Sequence, residues 1–358
     1  MEIVRVNLGS RGYDIKIGRG ILREIDFKQF GRTKYGIITD SNIKKLYGEK
    51  LQNIFIEQGL KMELFDFPAG EKSKNWEVAG SIGRELVKKD LDKGSLIIAV
   101  GGGVVGDLAG FVASIYKRGI GYVQIPTTLL AQVDSSIGGK TGVDVPQGKN
   151  LFGTFYQPKA VFADIDFLKT LPEEEIKNGL AEVIKYGMIR DAELFRYLEE
   201  NYSSRTDDFY LSIIKRCCQI KAKIVEQDEK EEELRKILNY GHTVGHAIES
   251  AQGYKISHGR AVALGMICEG KISNEIELLN DEDLNRQNQL IKNIGLPTAY
   301  KGQLDDLIDI MKKDKKAKSG EIHFVFPVKI GEVKRENDQI AFPVDTSFIR
   351  KCLSGLAI

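Results

Sequence analysis

The sequence predicts two domains in series, an α/β domain built on a parallel sheet and then a mainly helical one. Three observations point there. Up to about residue 170, strand-like and helix-like segments alternate, as repeated βαβ units do when helices cover both faces of a parallel sheet. From Pro172 onward, long patterns of helical period take over. A chain of 358 residues also exceeds what one ordinary hydrophobic core organises. The expected domains are therefore residues 1–170 and 171–358.

The elements follow in order. MEIVRVNLGSRGYDIKIG alternates like two short strands around a Gly-Ser turn. YGIITD (35–40) reads as a strand and Asn42 to Gln58 as an amphipathic helix. MELFDF (62–67) is a strand, Trp76 to Lys89 a helix, SLIIAV (95–100) a buried-type strand, and GYVQIP (121–126) another strand. PEEEIKNGLAEVIKYGMI begins with proline and acidic residues, which suit a helix N-terminus. Further helical patterns run at about 207–228, 233–251, 258–279 and 303–313, and strand signals return at EIHFVFPVKI (321–330). No repeat of solenoid length interrupts them.

Composition narrows the function classes. With 42% hydrophobic and 29% charged residues the chain reads as a soluble globular protein. A net charge of +1 gives no whole-molecule case for nucleic acid or an acidic membrane surface, so any cationic site must be local. Cys217, Cys218, Cys268 and Cys352 form no C-x-x-C pair and read as buried thiols of a reducing compartment. The first residues lack the apolar core of a signal peptide, and no apolar run reaches bilayer length. The expected location is the cytoplasm.

Three stretches carry chemistry. After SLIIAV comes Gly101-Gly102-Gly103-Val104-Val105-Gly106-Asp107, a strand-to-helix turn matching G-x-G-x-x-G. Glycines let backbone approach a pyrophosphate at a helix N-terminus, yet the turn lies a hundred residues in and no acid ends the next strand. It is either a tight packing turn or a nucleotide site of another variant. Next, PTTLLAQVDSSIGGKTGVDVPQGKNLFG (126–153) interleaves Asp134, Lys140, Lys149 and Asn150 with Gly138, Gly139, Gly142 and Gly148. Loops of this kind suit a multiply charged phosphate, or are solvated surface. Third, three of the four histidines, His242, His246 and His258, fall within seventeen residues. His242 and His246 share one helical face, His258 opens the next helix, and upstream Glu182 sits with Lys185 in GLAEVIKYG. Two imidazoles, a carboxylate and an open position make a catalytic zinc site, which other divalent metals also accept. Spacing alone favours His242 with His246 as the metal pair. His323, alone on a strand, reads as structural.

Together these stretches resemble dehydroquinate synthases. PAGEKSK, GGGVVGDLAGF, Y-K-R-G, IPTTLLAQVDSSIGGKTGVD, GKNLFG, the Leu-Pro-Glu turn before GLAEVIKYG, NYGHTVGHAIE and SHGRAVALGM recur in that family in this order, over nearly the whole chain. The resemblance implies an NAD-binding α/β domain, residues 1–170, and a mainly helical metal- and substrate-binding domain, residues 171–358. It implies metal ligation (zinc or cobalt) by Glu182, His242 and His258. For NAD it implies Asp40, Asn42, Glu71, Lys74, the turn Gly103, Val104, Val105, Gly106 and Asp107, then Thr127, Thr128, Lys140, Lys149, Phe167, Lys169 and Thr170. Catalytic roles are implied for Lys140, Asn150, Lys185, His246, Arg118 and Asp134, and substrate contacts for Lys221, Arg235, Asn239 and a lysine of the 315–316 pair, taken as Lys315. Arg118 resembles an arginine that reaches into a neighbouring subunit's site, which implies a homodimer.

The implied reaction converts 3-deoxy-D-arabino-heptulosonate 7-phosphate to 3-dehydroquinate and phosphate, a step of the shikimate pathway. It proceeds by transient oxidation with NAD, phosphate elimination, re-reduction and intramolecular aldol closure. Rival readings are another sugar-phosphate cyclase, such as a 2-deoxy-scyllo-inosose or valiolone-type synthase, and an NAD-linked polyol dehydrogenase. A dehydrogenase has no need of the phosphate-binding set Lys140, Asn150, Lys185 and Arg118.

Overall fold

A computed structural model describes residues 1–313 and 321–354. The chain divides into two compact units, Met1–Leu171 with Lys221–Glu226, and Pro172–Ile220 with Gln227–Ile358.

The first unit contains strands β1 (Glu2–Val6), β2 (Tyr13–Gly18) and β3 (Tyr35–Asp40), helix α1 (Ser41–Glu57), β4 (Met62–Phe67), α2 (Trp76–Lys88), β5 (Leu96–Gly101), α3 (Gly103–Ile115), β6 (Gly121–Pro126), β7 (Lys140–Val145), β8 (Gly148–Phe155) and β9 (Ala160–Asp164). Seven of the strands form one sheet in the order β1-β2-β9-β6-β5-β3-β4. β1 runs antiparallel to β2, and the remaining pairs are parallel. All six residues of β5 are buried, as a continuous apolar run in the middle of a covered sheet should be. Its side chains alternate between two cores. Ile97 and Ala99 pack with Ala79 and Ile82 of α2 and Leu108 of α3, whereas Ile98 and Val100 pack with Leu51 and Phe55 of α1. The expected parallel sheet with helices on both faces is therefore present.

The second unit contains α4 (Glu173–Arg190), α5 (Ala192–Asn201), α6 (Asp207–Gln227), α7 (His242–Ala251), α8 (His258–Glu275), α9 (Asp281–Ile294) and α10 (Leu304–Lys313). The short strands β10 (Ile322–Val325), β11 (Pro327–Lys329), β12 (Glu332–Val333) and β13 (Ala341–Val344) and helix α11 (Thr346–Leu353) complete it. Residues 221–226 of α6 belong to the first unit. From Asn178 to Ile189 every residue of α4 is buried, and α4 and α7 both pack against α8.

Two expectations needed revision. The segment 126–153, read as loops, holds a π-helical turn (Ala131–Ser135) and the antiparallel β7–β8 hairpin, with Gly142 paired to Gly153. The helical pattern at 233–251 is broken. Leu234–Asn239 is a 3₁₀ turn, and Gly241 at φ 77° lies in the left-handed region, where a right-handed helix cannot continue. Strands β9 and β13 and helices α5, α9 and α11 were not foreseen. All four cysteines are buried, and none forms a disulfide. Among the described residues no helix is long and apolar enough to cross a membrane.

Candidate active site

In the second unit three helices converge on one carboxylate. Glu182 stands midway along α4 with its side chain fully buried, and Lys185, one turn on, sets Nζ 2.5 Å from Glu182 Oε2. Glu182 Oε1 lies 3.2 Å from His258 Nε2 and 3.5 Å from His242 Nε2. Each ring is backed on its other nitrogen by an acceptor. The Tyr240 carbonyl is 3.1 Å from His242 Nδ1, and Glu249 Oε2 is 3.5 Å from His258 Nδ1. His246 is exposed and meets His242 edge-on at 5.3 Å between centroids. Its own ligand-type neighbours are Glu249 and His258, so the histidine that joins His242 beside Glu182 is His258. His323, on β10, hydrogen-bonds at Nδ1 with the carbonyl of Glu321 just before the strand.

Specific contacts hold the helices in this register. The Asn178 side-chain oxygen of α4 accepts from the Gly259 N–H at the start of α8. The fit is close, since a Cβ on Gly259 would come within 2.7 Å of Asn178 Cα. α7 has no side-chain cap of its own. Instead Glu269 of α8, fully buried, accepts from Gly241 N at 2.8 Å and Val244 N at 3.2 Å, satisfying donors that a helix N-terminus leaves open.

The electrostatics treat the two imidazoles beside Glu182 oppositely. Burial, then the charges of Lys185, His258 and His246, push His242 well below the usual imidazole range. Burial also acts to lower His258, but hydrogen bonds and charge from Glu182 and Glu249 hold it up at about 9. One ligand atom each from Glu182, His242 and His258 lies within 4.8 Å of the others. Two imidazole nitrogens and a carboxylate oxygen, with the second oxygen neutralised by Lys185, fit a divalent zinc- or cobalt-type cation.

In the first unit the expected nucleotide residues gather just beyond the C-terminal ends of neighbouring parallel strands. Asp40 ends β3 and caps α1, accepting from Asn42 N at 2.8 Å and Ile43 N at 3.0 Å. Gly101 ends β5 and leads through Gly102 into α3, whose first residues are Gly103, Val104, Val105 and Gly106. Thr127 and Thr128 follow β6, and Phe167, Lys169 and Thr170 lie in the 3₁₀ segment after β9. Thr170 Oγ1 is 2.5 Å from the Tyr47 hydroxyl of α1, tying that segment to α1. With β3 as first strand the parallel order is 2-1-3-4-5, and the switch point between β3 and β5 is where such sheets take ligands. The glycine turn thus sits at the switch point despite its late position in sequence. Thr127 Oγ1 is buried with no hydrogen-bond partner, as a hydroxyl meant for a ligand oxygen would be. An N-terminal helix turn and a waiting hydroxyl fit a dinucleotide's phosphates.

A polar network adjoins this edge. Lys74, buried, sets Nζ 2.6 Å from Asp107 Oδ2 and donates to Asn150 Oδ1 at 2.6 Å, and Lys149 pairs with Glu71 at 3.3 Å. Burial raises Asp107 while Lys74 opposes it; burial acts to lower Lys74, but the charge and hydrogen bond of Asp107 together with the charges of Glu71 and Asp144 more than offset this. Asp144, unforeseen, accepts from Asn150 N at 2.8 Å and holds it at φ 55°. Asp134 pairs with Lys221. Lys140 is exposed at the start of β7, and Arg118 is exposed just after α3. Arg235 is buried, donating Nη1–H to the Glu229 carbonyl at 2.7 Å, and Asn239 donates to Glu231 at 3.2 Å. Lys315 and Lys316 lie outside the described residues.

Sequence reasoning missed Asn178, Tyr240, Glu249 and Glu269. Only Glu249 left a signal, seven residues after His242 and three after His246 on one helical face.

Residues 64–178 match the family model described as 3-dehydroquinate synthase N-terminal, and residues 179–317 match 3-dehydroquinate synthase C-terminal. The 3-dehydroquinate synthase of Thermodesulfovibrio yellowstonii is 45% identical over 99% of this chain and 100% of its own length. Among solved structures, a 2-deoxy-scyllo-inosose synthase complexed with carbaglucose-6-phosphate, NAD+ and Co2+ superposes with TM-score 0.92 at 26% identity, covering 99% of this chain and 100% of that one. The 2-epi-5-epi-valiolone synthase from Streptomyces hygroscopicus, with NAD+ and Zn2+ bound, gives TM-score 0.89 at 27% identity over 100% and 99% of the two chains. The fold is thus shared across several sugar-phosphate cyclases, but the sequence is much nearer to one of them: the chain belongs to the 3-dehydroquinate synthase family.

Proposed function

We infer that this protein is a 3-dehydroquinate synthase, a carbon-oxygen lyase that turns 3-deoxy-D-arabino-heptulosonate 7-phosphate into 3-dehydroquinate and phosphate. The observation that carries the reading is the convergence of Glu182, His242 and His258 in a chain 45% identical to a 3-dehydroquinate synthase end to end. The two cyclases of other substrates share the fold at only 26% and 27% identity. Residues 1–170 are the NAD-binding domain and residues 171–358 the metal- and substrate-binding domain.

Glu182, His242 and His258 hold the divalent cation. The α3 N-terminus, Thr127, Thr128, Asp40, Asn42, Glu71, Lys74, Asp107, Lys149, Phe167, Lys169 and Thr170 hold NAD. When bound, NAD supplies a reversible hydride acceptor and the cation a Lewis acid that eases ionisation of a hydroxyl. The chain's own residues position and charge-match the substrate. Lys140, Asn150, Lys185, His246 and Arg118 hold the phosphate, with His246 donating a hydrogen bond as it departs. Lys221, paired with Asp134, joins Arg235, Asn239 and Lys315 in orienting the carbon chain. Lys185 has a double duty, because the same ammonium neutralises Glu182 Oε2.

Arg118 serves a neighbouring copy, and the protein is a homodimer. Support comes from large apolar side chains left exposed on this unit, among them Ile115, three residues before Arg118, and the neighbouring pair Trp76 and Phe152. Trp76 packs on Phe152 at 6.3 Å between centroids. Four buried cysteines outside any disulfide agree with a cytoplasmic location.

The test is phosphate release from the heptulosonate phosphate and from rival sugar phosphates, with NAD and a divalent metal supplied. Phosphate should accumulate over many turnovers with the heptulosonate substrate while reduced nicotinamide does not. Stoichiometric NADH would restore the polyol dehydrogenase, and preference for another sugar phosphate would move the protein to a sister activity.

A further inference from the structure

His258 faces a carboxylate on each side. Its Nε2 is 3.2 Å from Glu182 Oε1 and its Nδ1 is 3.5 Å from Glu249 Oε2. Glu249 is 4% exposed, on the last turn of α7. Burying a carboxylate is costly unless it is given protons or charge to hold. An imidazole that ligates through Nε2 must be neutral and carry its proton on Nδ1, and that proton needs an acceptor. For His242 the acceptor is the Tyr240 backbone carbonyl, 3.1 Å from Nδ1. For His258 it is a side chain.

The geometry points to Glu249 as a positioning residue that takes the Nδ1–H of His258, fixes its tautomer and ring plane, and so makes Nε2 the ligating nitrogen. The inference rests on the metal reading given above. It also accounts for α7 contributing twice, with His242 as a ligand at its first turn and Glu249 behind the other histidine at its last. A carboxylate in this place makes the ligating nitrogen more basic than a neutral carbonyl does. The same three side chains, His246, Glu249 and His258, could instead gather around a second cation. That arrangement needs the Nδ1 lone pair, which the tautomer proposed here does not have.

The experiment uses the full chain stripped of metal, with Co2+ as probe. Its affinity is measured by competition with a chromophoric chelator, its stoichiometry by titration, and its geometry by the visible absorption spectrum. Wild type should bind one Co2+ per chain, and His258→Ala should lose it. Glu249→Ala should bind one Co2+ roughly 10–100-fold more weakly, with shifted absorption bands. Glu249→Gln, which still offers an oxygen, should recover part of that loss. Glu249→Met fills similar space without such an acceptor and carries the test if the alanine variant does not fold. Wild-type affinity and spectrum in the alanine or methionine variant would overturn the role of Glu249, while the loss in His258→Ala would leave the metal reading standing. Two ions per wild-type chain, one of them lost with Glu249, would make it a ligand and overturn the inference. No difference between wild type and His258→Ala would remove the metal reading and this inference together.

Discussion

Replacing Gly259 by alanine tests how closely the metal-site helices must approach. On helix propensity alone the change should stabilise α8 by about 1 kcal/mol. Sterically it should do the opposite. The new Cβ would stand 2.7 Å from both Asn178 Cα and Asn178 Oδ1, about 1 Å short of ordinary carbon contact. The first turn of α8 must back away from α4 by that amount, breaking the bond from Gly259 N to Asn178. Overpacking of this kind costs about 1–3 kcal/mol, and the lost hydrogen bond about 1 more. The net expectation is a loss of about 1–3 kcal/mol once the propensity gain is subtracted. His258 is the adjoining residue, and ligand distances tolerate about 0.2 Å, so a shift several times larger should weaken metal binding at least tenfold. Urea denaturation of the metal-free protein and chelator competition measure the two effects. Gly83→Ala in α2, where a Cβ meets nothing within 4 Å, is the control and should be neutral or stabilising. If Gly259→Ala is as stable as the control and binds metal with wild-type affinity, the close-approach argument is wrong.

Other outcomes follow from the same geometry. His242→Ala and His258→Ala should emerge from dialysis nearly free of metal, whereas His246→Ala should keep it and lose phosphate elimination; metal content per subunit decides, and an empty His246→Ala beside a loaded His258→Ala would reverse the assignment. Arg118→Ala and His258→Ala should each be nearly inactive alone yet regain activity when co-refolded, because a mixed dimer keeps one complete site; demonstrated mixed dimers without activity would place Arg118 elsewhere. Asp228 is held below the usual carboxylate range: burial acts to raise it, but the N–H groups of Arg235, Glu232 and Glu233 prevail. A depressed folded-state value adds stability above the unfolded pKa of about 4 and loses it as pH falls through the folded value. Asp228→Asn should therefore cost about 1–2 kcal/mol at pH 7, the partial exposure keeping it modest, and the gap to wild type should close in denaturation curves taken toward pH 3.

The sheet was legible because β3, β5 and β6 are largely apolar, buried runs, and β4 alternates apolar with acidic residues as a less buried strand does. The β7–β8 hairpin was not, because its glycines and lysines read as loop and its strands are specified by pairing with each other and packing on α3. The break before α7 was hidden for a related reason. Hydrophobic period runs through Tyr240 and Val244, and only the left-handed backbone at Gly241 reveals the interruption. At the site, Glu182, Lys185 and the histidines could be named from residue type and order. Which histidine faces Glu182 could not be read from helical spacing, because it depends on how α8 lies against α4. Glu269 and Asn178 make contacts across helix pairs that leave no local pattern, whereas Glu249 at least shares a helical face with His242 and His246.

The buried carboxylate of Glu269 gives α7 a start that is written on another helix. Together with the Asn178–Gly259 contact it sets the offset of the histidine helices from within the packed layer, so that the link 252–257, with Ile256 on the core and Ser257 capping α8, is not alone in aligning them. An insertion at the turn 253–255, which leaves Ile256 and Ser257 in place, should therefore keep Glu182, His242 and His258 at their mutual distances.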